Sequence, residues 1–318
     1  MAVTLVQAKL NVQDALQMGV IDEFRKNNFL LNNLTFHDAV SPTGGGATLT
    51  YAYTRLLTQP LADFRALDTP YVPSEVTKQR FTADLKIFGG SFQIDRVLAG
   101  MGGIVSEVTF QMQQKVKAAQ ALFNDTVING DSAVDIDSFD GLDKALIGST
   151  TEVTLPQAIV LDTSANVTAN WQAFLDELDE FLMGLDGVPS AIMGNTKLIA
   201  KLRAIARRAG AYQMTKNDIG ENIEMYGNIP LVDLGAKPGT NDPVVPTAIA
   251  TGMTCLYVAR FGLDGFHAVS MAGQPPVKTW LPDMNQVGPL KTGEVEMVAA
   301  VALKATKSAA VLRGIKVQ

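Results

Sequence analysis

The sequence predicts a mixed α+β fold with two lobes, a long two-stranded excursion and an N-terminal arm. Three observations carry this. Apolar and polar residues alternate with strand periodicity on both sides of a Pro-containing stretch between residues 47 and 88. One uninterrupted helical stripe runs over residues 104–129. Two amphipathic helices of opposite charge then precede a series of short apolar strands within residues 150–275.

Residues 1–43 read as an arm with a helix in it. Val12, Leu16, Val20 and Phe24 recur every four residues and give one apolar stripe. Asn27, Asn28, Asn32 and Asn33 break the helix, and Ser41-Pro42-Thr43-Gly44-Gly45-Gly46 forms a stop and a hinge. In the excursion, Leu49, Tyr51 and Tyr53 alternate with Thr48, Thr50, Ala52 and Thr54. A second strand from Val76 to Phe88 sets Phe81, Ala83, Leu85 and Ile87 on one face. Pro60, Pro70 and Pro73 interrupt the tip between them. Such a ribbon is marginally stable alone and needs another surface to lie on.

The long helix follows. Val105, Val108, Met112, Val116, Ala119, Phe123 and Val127 occupy one face of a rod about 39 Å long at 1.5 Å per residue. Gly102-Gly103 precedes it and Asn129-Gly130 ends it. The second lobe opens with a helix from Thr168 to about Leu185, which places Trp171, Phe174, Leu175, Leu178 and Leu182 on one side. A helix from Thr196 to Ala209 buries Leu198, Ile199, Leu202 and Ile205, and Gly210 closes it. Strands are expected near Ile229–Leu234, Ala248–Ala250, Cys255–Arg260 and Phe266–Ser270, with an exposed tip at Lys237–Pro243. Alternation from Glu294 to Lys304 and an apolar run from Ala310 to Val317 give two closing strands.

Composition limits the function. Of 318 residues, 47% are apolar and only 18% charged, below the roughly 25% of an average soluble domain. Burying weakly charged surface against further copies of the chain is one remedy. Net charge is −6, the opposite of what a tight phosphate-gripping protein concentrates. Cys255, the single cysteine, excludes an internal disulfide and a Cys-based zinc cluster; among Met253, Leu256 and Val258 it reads as a buried strand thiol. No secretory signal stands in Met1–Leu10 and no apolar run reaches the ~18 residues of a membrane span, so the expectation is a soluble cytoplasmic chain.

Catalytic patterns are weak. His37 and His267 lie far apart in the sequence and read as structural histidines, and no G-x-S-x-G elbow supplies a nucleophile. Asp131, Asp135, Asp137 and Asp140 end in Gly141, but Phe139 stands where a calcium loop needs an acid. Gly44-Gly45-Gly46 lacks the Gly-Lys-Ser/Thr of a phosphate loop, and Gly100-Met101-Gly102-Gly103 reads as a joint. No catalytic, cofactor or metal residue is therefore expected. One charge contrast remains. Asp176, Glu177, Asp179, Glu180 and Asp186 make the first helix of the second lobe acidic, while Lys197, Lys201, Arg203, Arg207 and Arg208 make the second basic. These are either two solvated faces or complementary contacts between neighbouring subunits; in the second case Glu177, Glu180, Arg203, Arg207 and Arg208 are the contact residues.

In this order of elements the chain resembles the tailed-bacteriophage major capsid protein family with the Hong Kong 97-type fold. The resemblance rests on the arm, the Gly hinge, the β-excursion and the long helix, and on Asn129-Gly130-Asp131 followed by Gly141-Leu142. It extends to Ala191-Ile192-Met193-Gly194-Asn195-Thr196-Lys197-Leu198 and to the late strand pair from Gly252 to Val269. It implies an arm at 1–43, an extended β-loop at 44–90, and a peripheral domain at 91–150 around a spine helix, 104–129. An axial domain at 151–275 and return strands of the peripheral domain at 276–318 complete it. The implied function is a coat subunit assembling into hexamers and pentamers around phage double-stranded DNA, without sequence-specific binding, cofactor or membrane.

The short arm implies a separate scaffolding protein, and a portal would complete the head. Lys78 and Lys86 lie in the extended loop without an evident cross-linking partner. An encapsulin-type nanocompartment shell shares the fold and is the near alternative. A soluble α/β enzyme using Asp140 or His267 is the alternative of a different class.

Overall fold

The computed structural model describes residues 29–41, 48–58, 60–100, 107–216 and 222–318. The expected helix through Val12, Leu16, Val20 and Phe24, and the Gly44–Gly46 hinge, lie outside the described residues.

Two sheets organise the chain. The five-stranded sheet is built on β13 (Leu290–Leu303), whose alternating burial becomes continuous at its last residues. β4 (Lys86–Asp95) pairs with it antiparallel from Leu290↔Asp95 to Ala299↔Lys86. β12 (Val277–Trp280) and β11 (Phe266–Met271) also pair with β13, and β1 (Phe36–Val40) joins β11 in parallel. The long helix, α3 (Glu107–Asn129), lies on this sheet. Met112 and Ala119 pack against Phe92, Ile94 and Val295, while Phe123 and Val127 reach the main core. The stripe from Val108 to Val127 is thus the face that meets the sheet, and Val105 lies outside the described residues. The short α2 (Arg96–Gly100) follows β4, and α1 (Phe29–Asn33) seats Leu30 in the main core.

The seven-stranded sheet runs β5-β14-β10-β6-β9-β8-β7. Its members are β5 (Glu152–Val160), β6 (Ala191–Gly194), β7 (Tyr212–Lys216), β8 (Asn222–Tyr226), β9 (Ile229–Asp233), β10 (Met253–Ala259) and β14 (Ala309–Lys316). Side chains alternate across its central strands, so the sheet has two buried faces. Ile192, Leu256, Val258 and Leu312 meet Phe174, Leu178, Leu202 and Ile205 of α5 (Ser164–Met183) and α6 (Thr196–Ala209). Met193, Tyr257, Ala259 and Val311 point the other way, into one core with Val127, Ile128 and Leu142. That shared core fuses the two halves of the chain.

Several sequence expectations are corrected here. The closing segment does not return as a unit: β13 lies beside the long helix, but β14 crosses into the seven-stranded sheet between β5 and β10. β11, expected in the second lobe, belongs to the sheet under the long helix. The single strand expected from Val76 to Phe88 is two. β3 (Lys78–Asp84) pairs with β2 (Thr50–Leu56) as the ribbon, then buried Leu85 marks the change into β4 and a different sheet. α5 starts at Ser164 and not Thr168, because the Thr163 hydroxyl accepts from the Asn166 amide and caps the helix. Residues 248–250 form a turn, closed by the Ala248 amide donating to the Met253 carbonyl at 2.8 Å. The β7–β8 hairpin was not foreseen from the sequence.

The junction after α3 has a clear local cause. Gly141 donates its amide to Gly130 at 2.8 Å, drawing the Asp131–Asp140 loop back to the helix end. A Cβ on Gly130 would stand 2.2 Å from the Phe139 carbonyl oxygen, and one on Gly141 2.5 Å from that of Thr126. Asn129 ties the corner down by donating to Asp125 and to the Val244 carbonyl, both at 2.7 Å. α4 (Leu142–Leu146) then buries Leu142 and Leu146 completely.

Candidate functional site

The ribbon presents an apolar surface that the described residues leave uncovered. Its root is anchored. The Tyr53 hydroxyl donates to the Leu303 carbonyl at 2.9 Å, Arg55 Nε donates to the Lys304 carbonyl at 2.9 Å, and the Arg55 guanidinium lies 4.3 Å over the Phe81 ring. Its tip is bare. Leu61, Phe64, Leu67 and Val72 are 83%, 101%, 89% and 86% exposed. Short hydrogen-bonded contacts across the stem, such as Thr58 to Thr77 at 2.8 Å, keep the two sides together without a core.

The charged helices lie side by side on one face of the seven-stranded sheet. Glu177 and Glu180 border a small pocket of about 230 Å³ with Thr150, Thr151, Val153, Phe181 and Ala310. Arg207 and Arg208 stand exposed in the last turn of α6, where the helix dipole favours cations. Arg203 forms an ion pair with Glu224 of β8, and Arg207 donates through Nε to the Arg203 carbonyl at 3.3 Å, so part of the basic helix is matched within its own chain. Asp179 likewise accepts from the Tyr226 hydroxyl at 2.8 Å, and Lys201 donates to the Asp162 carbonyl at 2.8 Å.

The acidic junction is a set of turn caps. Asp131 pairs with Lys144 at 2.7 Å and accepts from the Ala133 amide, and both hydrogen bonds hold its carboxyl below the ordinary range. Asp140 accepts from the Ser132 amide at 2.8 Å, and Asp135 from that of Asp137 at 3.1 Å. Among the described residues no group of three or more His, Cys, Asp or Glu side chains is placed to hold a metal ion.

Two clusters were missed by sequence reasoning. Arg313 of β14 donates to Asp143 of α4 at 2.6 Å and to Glu152 of β5 at 2.7 Å, while Tyr257 donates to Asp143 at 2.8 Å. The Gly148 amide and then Arg313 lower the Glu152 pKa, whereas burial raises those of Cys255 and Tyr257. This network pins the junction helix to the seven-stranded sheet. The second cluster corrects the view of the histidines as distant. His37 on β1 and His267 on β11 have ring centroids 5.9 Å apart, because β1 pairs with β11. Tyr51 of the ribbon stands edge-on to both, at 5.4 and 5.8 Å. Burial first, then the charge of Lys304, pushes the His267 pKa down to about 4. With no exposed surface, His267 cannot reach a substrate, and the Asp140 carboxylate is engaged as a turn cap.

No protein-family model matches the chain, and no curated protein matches it either. Solved structures do. It is similar to the holo-SrpI encapsulin complex from Synechococcus elongatus PCC 7942, with a TM-score of 0.66 and 14% identity over 99% of this chain and 97% of that one. It is similar to the capsid of Myoviridae Phage XM1, with a TM-score of 0.60 and 12% identity over 95% and 96% of the two chains. The capsid of the native GTA particle gives a TM-score of 0.60 and 12% identity over 99% of each chain. At these identities the likeness is one of architecture, and it spans the chain from end to end. The chain has the Hong Kong 97-type α+β fold of phage capsids.

Proposed function

We propose that the chain is the major capsid protein of a tailed bacteriophage, assembling into hexamers and pentamers that close an icosahedral shell around double-stranded DNA. The observation that carries this reading is the ribbon, whose apolar tip is exposed while its root is fixed. Burying one such Leu or Phe side chain contributes about 1.5–3 kcal/mol, so a neighbour covering several gains a strong contact. Repetition around a closed ring multiplies the term. Net charge −6 suits a wall that surrounds DNA without adhering to its phosphates.

In this reading the sheet under α3 is the peripheral domain and the seven-stranded sheet with α5 and α6 the axial domain. Glu177, Glu180, Arg207 and Arg208 face neighbouring subunits within a capsomer, and Arg203 supports β8 in its own chain. A separate scaffolding protein and a portal guide closure in the host cytoplasm, and the mature location is the virion. The subunit is structural and not an enzyme.

An encapsulin-type shell is the second reading, favoured by the TM-score of 0.66 to the SrpI encapsulin complex. Negative-stain microscopy of the purified chain, alone and with a scaffolding protein supplied, tests the shared part: capsomers or closed shells are expected, and a monomer that persists at high concentration with scaffold present overturns both readings. Nucleic acid extracted from particles formed during infection favours the capsid, and a co-purifying cargo enzyme favours the nanocompartment.

A further inference from the structure

The His37–Tyr51–His267 cluster joins three elements that lead to different places. β1 carries His37 and continues back toward the N-terminal arm; β2 carries Tyr51 and continues out into the ribbon; β11 carries His267 and belongs to the fixed sheet. Tyr51 stands nearly perpendicular to both imidazoles, at 87° and 90°, as a wedge between the ribbon root and the sheet. His267 has no exposed surface, and neither of its ring nitrogens nor Nδ1 of His37 has a hydrogen-bond partner of normal geometry. Ring packing dominates the cluster; a backbone hydrogen bond with Gly265 favours charge on His267, but burial outweighs it and keeps that imidazole neutral.

The surrounding charges oppose a proton. Just after β13, Lys304 lies with its ammonium 5.6 Å from the Tyr51 ring centre and disfavours charge on His267. His37 from β1 acts in the same sense. The counteracting carboxylate is Asp264, in the loop before β11, and it is already paired with Arg260 at 2.9 Å. Tyr53, the next ribbon residue pointing the same way, is tied to the Leu303 carbonyl. Nothing from β1, β2, β11 or β13 in this cluster offers an imidazolium a free anion.

We propose that His37, Tyr51 and His267 form an acid-sensitive joint, which loosens β1 and the root of the ribbon on the five-stranded sheet when a proton enters the cluster. Charging His267 requires water to reach it. The wedge side chain, Tyr51, must then withdraw, and β2 moves with it. β1 loses the ring packing of His37 and is left with its pairing to β11, the Phe36–Phe123 stack, buried Val40 and the Gly273 amide donated to Asp38 at 2.9 Å, so its protection falls without the strand leaving the sheet. The seven-stranded sheet and the α5–α6 layer contain none of these groups and stay closed. The joint lies inside one chain, so it stands or falls separately from the shell reading.

Hydrogen–deuterium exchange of the full chain at about pH 7 and about pH 5, corrected for intrinsic rates, tests it. Amides of residues 36–40 and 50–56 should exchange roughly tenfold faster or more at the lower pH, while residues 191–194 and 256–259 keep their protection. His267→Phe keeps a ring of similar size and removes the titrating group, so the selective acceleration should vanish. Acceleration spread evenly over both sheets, or selective acceleration that survives His267→Phe, overturns the proposal. Should His267→Phe fail to fold, NMR titration of the native chain decides, because only two histidine rings contribute signals. The His267 ring of the folded chain must titrate well below the ordinary histidine range; a ring that titrates near 6.5 while the chain stays folded contradicts the joint.

Discussion

The backbone amide of Gly141 donates to the carbonyl of Gly130 at 2.8 Å, and neither residue has room for a side chain. Both glycines therefore serve close approach of backbone to backbone. Gly141→Ala places a Cβ 2.5 Å from the Thr126 carbonyl oxygen, and backbone cannot retreat as a flexible side chain can. We expect a loss of about 3 kcal/mol or more, or no folded protein. Gly148→Ala is the control: its φ of 70° is strained for alanine, but a Cβ there meets nothing within 4 Å. It should cost about 1 kcal/mol in urea titrations.

Arg313 is the shared partner of two carboxylates, so removing it strands both. Arg313→Met should cost about 3 kcal/mol, because Asp143 and Glu152 remain partly buried without their cation. Tyr257→Phe removes one hydrogen bond to Asp143 and should cost about 1 kcal/mol. Changing Arg313, Asp143 and Glu152 together to Met, Asn and Gln should recover much of the Arg313→Met loss. Chemical denaturation of the three variants checks the ranking.

His267 also sets a slope of stability against pH. Its pKa is pushed from 6.5 down to about 4 by burial, so between these values the unfolded chain binds more protons than the folded one. Stability is then fully present above about pH 6.5 and falls as the pH drops toward about 4. The loss attributable to this group should be about 2 kcal/mol at pH 5. His267→Phe should flatten that part of the profile in urea titrations across the range.

Charge reversal tests the contact residues on α5 and α6. Arg207→Glu with Arg208→Glu should hinder capsomer formation, and added salt should partly relieve it by screening like-charge repulsion. Glu177→Lys with Glu180→Lys in the same chain should restore assembly. Arg203 is left unchanged because it pairs with Glu224 inside the subunit. Sedimentation at two salt concentrations gives the readout; normal assembly of the Arg207/Arg208 variant makes these faces merely solvated.

What the sequence disclosed follows from the range of its signals. The α3 stripe from Val108 to Val127 and the α6 stripe from Leu198 to Ile205 are local periodicities, and both describe faces that pack as expected. Asn195 was legible only as part of a resemblance. Its carboxamide caps α6 through the Leu198 amide at 2.8 Å and donates to Thr254 at 2.8 Å, which explains its place after β6. Sheet membership was not legible. β11 and β14 are equally apolar strands, and only their long-range pairing sends one to each sheet. The Arg313 network and the histidine pair were hidden for the same reason: Arg313 lies 170 and 161 residues from Asp143 and Glu152, His37 and His267 stand on strands likewise remote in the chain, and both sets meet only through those pairings.

The ribbon tip provides the most direct test of the shell reading. Leu56 and Lys78 are paired across the stem, so replacing residues 57–77 with a short turn should leave the subunit core intact. Circular dichroism and urea titration should then match the parent within about 0.5 kcal/mol. Sedimentation velocity of the parent and shortened chains at high concentration is the decisive measurement. The account predicts capsomers or closed particles for the parent and only subunits or small, unstable oligomers for the shortened chain. Equal assembly of the two, or a parent that remains monomeric with a scaffolding protein supplied, would contradict it.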